Sequence, residues 1–146
     1  MILVDANILL YAHNQSSPQH RDARAWLESE LAGPGPVGVA WTSLLALIRI
    51  STSPRVFPLP FAVEEASAVV DQLLTQPSVT VVQPGPRHWA ILRRLLVESQ
   101  ARGPLAMDAH LAALALEHGA TMYTTDRDFT RFSGLRVVNP IGSAPS

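Results

Sequence analysis

The stretch Met1–Ala12, MILVDANILLYA, decides the fold. Apolar residues run from Met1 to Val4 straight into Asp5, and Asn7 opens a second apolar run. A short Ile/Leu/Val run without polar alternation predicts a strand buried on both faces, the kind found in parallel sheets. Asp5 then stands at the carboxyl end of that strand, where open α/β sheets form their ligand crevice. Asp is also a favoured helix N-cap. At this point the residue reads equally as a structural cap and as a chemical group.

Working outward, Ser17-Pro18 predicts a helix start, and Ala23, Trp26, Leu27 and Leu31 form its core-facing stripe. Gly33-Pro34-Gly35-Pro36 ends that helix. Val37–Trp41 reads as a second strand and Ser43–Ser51 as a buried helix, broken at Ser53-Pro54. A further helix covers Val63–Thr75, a third strand Val79–Val82, and another helix Arg87–Arg102. After Gly103-Pro104 comes a helix from Ala106 to His118, stopped by Gly119. Thr121–Thr125 is a fourth strand and Leu135–Val138 a weak fifth. Strands separated by helical segments predict a parallel sheet with helices on both faces. No repeat or linker divides the chain. Residues 1–146 are expected to form a single domain, with 140–146 a loose tail.

The bulk composition narrows the function. A 146-residue chain with 47% apolar residues and mean hydropathy +0.16 can bury a large core without staples. The absence of cysteine excludes disulfides and thiolate metal sites and fits a reducing cytoplasm. No apolar run approaches the ~18 residues of a membrane span, and the start has no basic region leading into a cleavable apolar segment. The net charge of −1 gives no global attraction for nucleic acid. All 11 basic residues are arginine, the better phosphate fork, although a GC-rich genome produces the same bias.

The aspartates are unevenly placed. Asp22 and Asp71 lie on predicted helix surfaces. Asp5 ends the first strand, and Asp126 and Asp128 follow the fourth in Thr124-Thr125-Asp126-Arg127-Asp128-Phe129. Asp108 shares its helix face with Leu111, Ala112 and Ala115, so it points at the protein. If strands one and four are neighbours, Asp5, Asp126 and Asp128 converge on one edge with Asp108 leaning in. Such carboxylates coexist only when protonated, paired with arginine or bound to a hard cation. Oxygen-only donors favour Mg²⁺ or Mn²⁺ over Zn²⁺. A centre of that kind suits phosphodiester hydrolysis.

The segments Val4-Asp5-Ala6-Asn7-Ile8-Leu9, Asp108-Ala109-His110-Leu111-Ala112-Ala113-Leu114-Ala115 and Thr124-Thr125-Asp126-Arg127-Asp128-Phe129 resemble the three acidic motifs of PIN-domain ribonucleases. More closely, they resemble VapC-type toxins of type II toxin–antitoxin modules. The resemblance covers nearly the whole chain. It implies a three-layer α/β/α sandwich around a mostly parallel sheet of four to five strands. It also implies a Mg²⁺-dependent endoribonuclease acting on structured RNA, a homodimer and a cognate VapB-type antitoxin. By matching positions, Asp5, Asp108 and Asp126 take catalytic, metal-binding roles and Asp128 is a fourth ligand. Asn7 and Thr124 are supporting polar groups.

One position departs from the family. A Glu usually stands on the helix after the second strand, whereas Ser43-Leu44-Leu45-Ala46-Leu47-Ile48-Arg49 carries no acid and Leu47 takes the Glu position. A second metal is therefore less well supported than a first. Arg49, alone on an apolar helix, is expected to pair with a carboxylate or an RNA phosphate, and Arg127 to hold substrate phosphate. His13 and His110 lie near the motifs without sharing their faces. Trp26, Trp41 and Trp89 are expected in the core or at a dimer contact. The competing reading is a catalytically weak PIN module that binds antitoxin or RNA without cutting. A haloacid-dehalogenase-type phosphatase also carries Asp after its first strand. It requires a second Asp where this chain has Asn7, and a lysine that this chain lacks.

Overall fold

The structure is a computed structural model that describes residues 1–142. The elements in chain order are β1 (Ile2–Val4), α1 (Ala6–His13), α2 (His20–Ala32), β2 (Val37–Val39), α3 (Trp41–Ser51) and α4 (Val63–Thr75). They continue with β3 (Val79–Val81), α5 (His88–Ser99), α6 (Leu105–His118), β4 (Thr121–Tyr123), a 3-10 turn (Arg127–Arg131) and β5 (Val137–Val138).

The first strand does what its composition predicts. Leu3 and Val4 are both fully buried, yet they belong to different cores. Leu3 packs with Leu95, Leu111, Leu114, Met122 and Phe129 on the α5–α6 face. Val4 packs with Ile8, Leu9, Leu27, Leu44, Leu47 and Leu73 under α1–α4. Burial on both faces is why the strand is apolar without alternation. The sheet order is β3-β2-β1-β4-β5, and every pairing is parallel. This is the α/β sandwich expected from the sequence, with five strands.

The order matters for function. From β1 the chain builds outward through β2 and β3, then returns to place β4 on the other side of β1. The strand order reverses between β1 and β4, so the crevice of the fold opens at their carboxyl ends. Val4 is opposite Tyr123, and the Asp5 amide donates to the Tyr123 carbonyl at 3.0 Å. The next residues of both strands are thereby forced together. In β2, a side chain at Gly38 would meet Val82 Cγ2 at 2.7 Å and the Ile2 carbonyl oxygen at 2.9 Å. Only glycine lets the strand approach this closely.

Several boundaries differ from expectation. α2 begins at His20, not at Ser17-Pro18. The Ser17 hydroxyl accepts the Gln19 amide and donates to the Gln19 side chain, closing a turn ahead of the helix. β2 stops at Val39 and β4 at Tyr123, and α3 starts earlier, at Trp41. α5 ends at Ser99, where Gln100 takes the left-handed conformation at φ 53° and terminates the helix. Leu47 is buried at 1% exposure and faces the α1–α4 core, so it does not occupy a crevice position. Trp26 is half-buried and stacks on Tyr123 at 5.2 Å, whereas Trp41 and Trp89 are exposed and outside the core. Of the tail expected to be loose, residues 143–146 lie outside the described residues, while Ile141 packs on the α1–α4 core. Among the described residues no helix is long and apolar enough to cross a membrane.

Candidate active site

Asp5 is the cap its sequence position allowed, and it also lines the crevice at the carboxyl end of β1. It is the N-cap of α1, its Oδ1 accepting the Ala6 amide at 2.7 Å. Its Oδ2 accepts the Thr124 hydroxyl at 2.7 Å. Thr124, just past β4, is 2% exposed. Its Oγ1 also accepts from Asn7 Nδ2 at 3.3 Å and from the Asp126 amide at 3.0 Å. One donor and two acceptors exhaust the capacity of a hydroxyl. Thr124 therefore ties the first acidic segment to the third.

Asp126 caps the 3-10 turn, its Oδ1 accepting the Asp128 amide at 2.9 Å. The turn aims Asp128 back toward Asp126. Asp108 enters from the first turn of α6, half-buried, its neighbours Leu111, Ala112 and Ala115 buried on the same face. Asp108, Asp126 and Asp128 each offer an oxygen, and these three atoms lie within 4.8 Å of one another. Asp5 stands outside this trio with both oxygens already engaged, although it lines the same crevice as Asp108.

The electrostatics follow from this crowding. Burial, then the charges of Asp126, Asp5 and Asp128, push the Asp108 carboxyl up from 3.8 to about 6, against a weaker pull from Arg131. Burial also raises Asp5, opposed by its hydrogen bonds from Thr124 and Ala6. The compensating charge near the trio is small. Arg131 Nη2 lies 3.4 Å from Asp128 Oδ1, and both side chains are exposed. An oxygen-only cluster with this little compensation has the chemistry of a hard divalent-cation site.

Two cavities flank the carboxylates. One, of about 690 Å³, is lined by Asp5, Asp108, Thr42, Ser43 and Arg49 among others. The other, of about 740 Å³, is lined by Thr124, Asp126, Arg127, Tyr11 and Asn139 among others. Arg49 and Arg127 are exposed, one in each cavity. Neither forms an ion pair among the described residues, so Arg49 is not the internal partner of a carboxylate. His13 bonds the Leu9 carbonyl at 2.7 Å, and His110 meets His88 at 3.0 Å, both apart from the trio. Sequence reasoning missed Thr42, Ser43 and Arg131. The i+3 spacing from Asp128 was the available signal for Arg131. Thr42 and Ser43 gave none, because the phase of an almost wholly apolar helix is not legible.

Comparisons with known proteins find likenesses over nearly the whole chain. The PIN domain family model matches residues 2–135. Ribonuclease VapC37 of Mycobacterium tuberculosis is 44% identical over 140 residues, spanning 96% of this chain and 97% of its own. Among solved structures, VapBC2 from Rickettsia felis, bound to a DNA fragment from their promoter, superposes with a TM-score of 0.71 at 20% identity. It covers 95% of this chain and 98% of that one. VapC20 of Mycobacterium tuberculosis, described as a sarcin-ricin loop cleaving toxin, gives 0.68 at 20% identity, covering 93% and 99%. At these identities the two structures are likenesses of fold.

Proposed function

The chain belongs to the PIN-domain family, and on that premise we propose that it is a divalent-metal-dependent endoribonuclease, the toxin of a type II toxin–antitoxin module. The observation that carries this reading is the meeting of Asp108, Asp126 and Asp128 within 4.8 Å at the reversal point of a parallel sheet. Asp108, Asp126 and Asp128, with Asp5 beside them, would hold Mg²⁺ or Mn²⁺. Such an ion, when bound, neutralises a scissile phosphate and lowers the pKa of water.

The chain's own residues supply the positioning. Thr124 holds the Asp5 carboxylate and the Asp126 backbone in one register. Asn7 braces Thr124 from α1. Arg127 and Arg49 stand exposed on either side of the carboxylates, where phosphates flanking the cut would lie. The substrate is structured RNA in the cytoplasm, the working form a homodimer, and a VapB-type antitoxin covers the site.

The test is cleavage of total RNA by the purified chain with Mg²⁺, with Mn²⁺ and with EDTA. We expect discrete cuts with either metal, none with EDTA, and a loss of at least about 100-fold for Asp126→Asn. Co-expression with the neighbouring open reading frame should yield an inhibited complex. One observation favours a second reading: the α3 wall of the crevice carries Thr42, Ser43, Ala46 and Arg49 and no acid. A catalytically weak module would bind RNA or antitoxin at the same site and leave total RNA intact under all three conditions.

A further inference from the structure

The wall that lacks an acid has positive features of its own. α3 runs for 11 residues, its N-cap Ala40 makes no side-chain cap bond, and its first turn carries no acidic residue. The amides of Trp41 and Thr42 find no acceptor among the described cap and turn hydrogen bonds. Two hydroxyls sit in that same turn. Thr42 Oγ1 and Ser43 Oγ are buried without any hydrogen-bond partner, and Ser43 is 2% exposed. Both residues line the crevice that Asp5 and Asp108 line from the other side.

Orphaned hydroxyls and amides at one helix N-terminus cost free energy unless something accepts from them. The amides can only donate and the hydroxyls can donate, so one acceptor would answer all of them, and the helix dipole favours an acceptor that is negative. The dipole equally disfavours a cation at this wall. Thr42, Leu45, Ala46 and Arg49 all line the crevice, an i, i+3, i+4, i+7 stripe. Arg49 is therefore on the same face as Thr42, about 10.5 Å further along the axis. That separation suits two different phosphates of one strand.

We propose that the first turn of α3, through the Ser43 and Thr42 hydroxyls and the free amides, is a phosphate-binding subsite for the RNA backbone, with Arg49 serving a further phosphate of the same strand. The inference rests on the nuclease reading for its ligand class. It assigns the wall opposite the carboxylates to substrate anions. The scissile strand is then held between a wall that attracts phosphate and a cluster that repels it until a cation is present.

The test uses the full chain, isotope-labelled and stripped of metal, titrated with inorganic phosphate while amide chemical shifts are followed. The expected result is a saturable shift of Trp41, Thr42 and Ser43. Ser43→Ala should weaken phosphate binding about five-fold, the worth of one hydrogen bond. Arg49→Gln, at an exposed position, should leave phosphate at the first turn intact but raise KM for RNA. Mn²⁺ broadening at Asp108 and Asp126 should be the same in both variants as in wild type. Shifts scattered over other arginines, or a Ser43→Ala variant that loses Mn²⁺ instead of phosphate, overturn the proposal. If Ser43→Ala fails to fold, Arg49→Gln and the wild-type shift map still decide it. A chain that binds phosphate at α3 but cuts no RNA refutes the nuclease reading and keeps the subsite. A chain that cuts RNA with unchanged kcat and KM in both variants keeps the nuclease and refutes the subsite.

Discussion

Asp5 and Asp108 face the same crevice, but the chain supports them in opposite ways. Asp5 grows out of the sheet and is held by two hydrogen bonds, one from its own helix and one from Thr124. Asp108 grows out of a helix flank, accepts no hydrogen bond among the described residues, and is surrounded by three other carboxylates. Burial raises both, and the three neighbouring carboxylates add to it at Asp108, which is pushed up to about 6. The difference teaches that a carboxylate in such a site can belong to the scaffold as well as to the chemistry. Asp5 is fixed by the scaffold it caps, and Asp108 is held in place mainly by the packing of α6.

Substitution of each residue is the strongest way to break this comparison. Asp108→Asn should lower RNA cleavage by at least about 100-fold while leaving thermal stability equal or higher, because it removes repulsion. Asp5→Ala should lower cleavage similarly and also cost about 1–3 kcal/mol, since a cap and a buried partner go together. Paired denaturation curves check this, and equal stabilities for the two variants would erase the distinction. Next in size is Thr124→Val, which keeps the shape and removes the hydroxyl. It leaves Asp5, Asn7 and the Asp126 amide short of a partner and should cost about 1–3 kcal/mol. Its cleavage defect should be partial, because no proposed metal donor is removed.

The pH dependence sharpens the comparison further. Asp108 has a native pKa near 6 against an ordinary 3.8, so the folded chain binds more protons than the unfolded chain between those values. Stability of the metal-free protein should therefore fall as pH rises from about 4 to about 6 and stay level above. Calorimetry at pH 5 and pH 7 should give the higher midpoint at pH 5, and Asp108→Asn should shrink the gap. An unchanged gap would locate the titration elsewhere. The smallest expected effect is at Arg131, whose exposed pair with Asp128 is worth a few tenths of a kcal/mol at most. Arg131→Gln should barely move stability and should tighten Mg²⁺ binding slightly, measured by titration calorimetry.

Most of this arrangement could be read from the residues. β1 was legible because burial on both faces leaves no polar position to alternate. α4 ran from Val63 to Thr75 as expected because its apolar stripe is regular. The acidic segments were legible because polar residues at strand ends are rare enough to stand out. The failures share a cause as well. α3 begins at Trp41 without a side-chain cap, and apolar residues occupy nearly all of its turns. Neither its start nor its phase was marked, and each residue of error rotates a helix by about 100°. That is why the sequence leaves open which way Leu47 faces; in the structure it is in the core, while Thr42, Ser43 and Ala46 line the crevice. Ser17-Pro18 carried a helix-start signal that a local turn consumed first.

The Thr124–Asp5 hydrogen bond joins residues 119 positions apart. β1 waits in the middle of the sheet for a neighbour that is synthesised near the far end of the chain. Until β4 docks, Asp5 lacks Thr124, and Asp126 and Asp128 have no strand to anchor them. On a ribosome the acidic centre can therefore form only after β4 has emerged. A chain cut short before Thr124 lacks Thr124, Asp126 and Asp128, and with them the acidic centre.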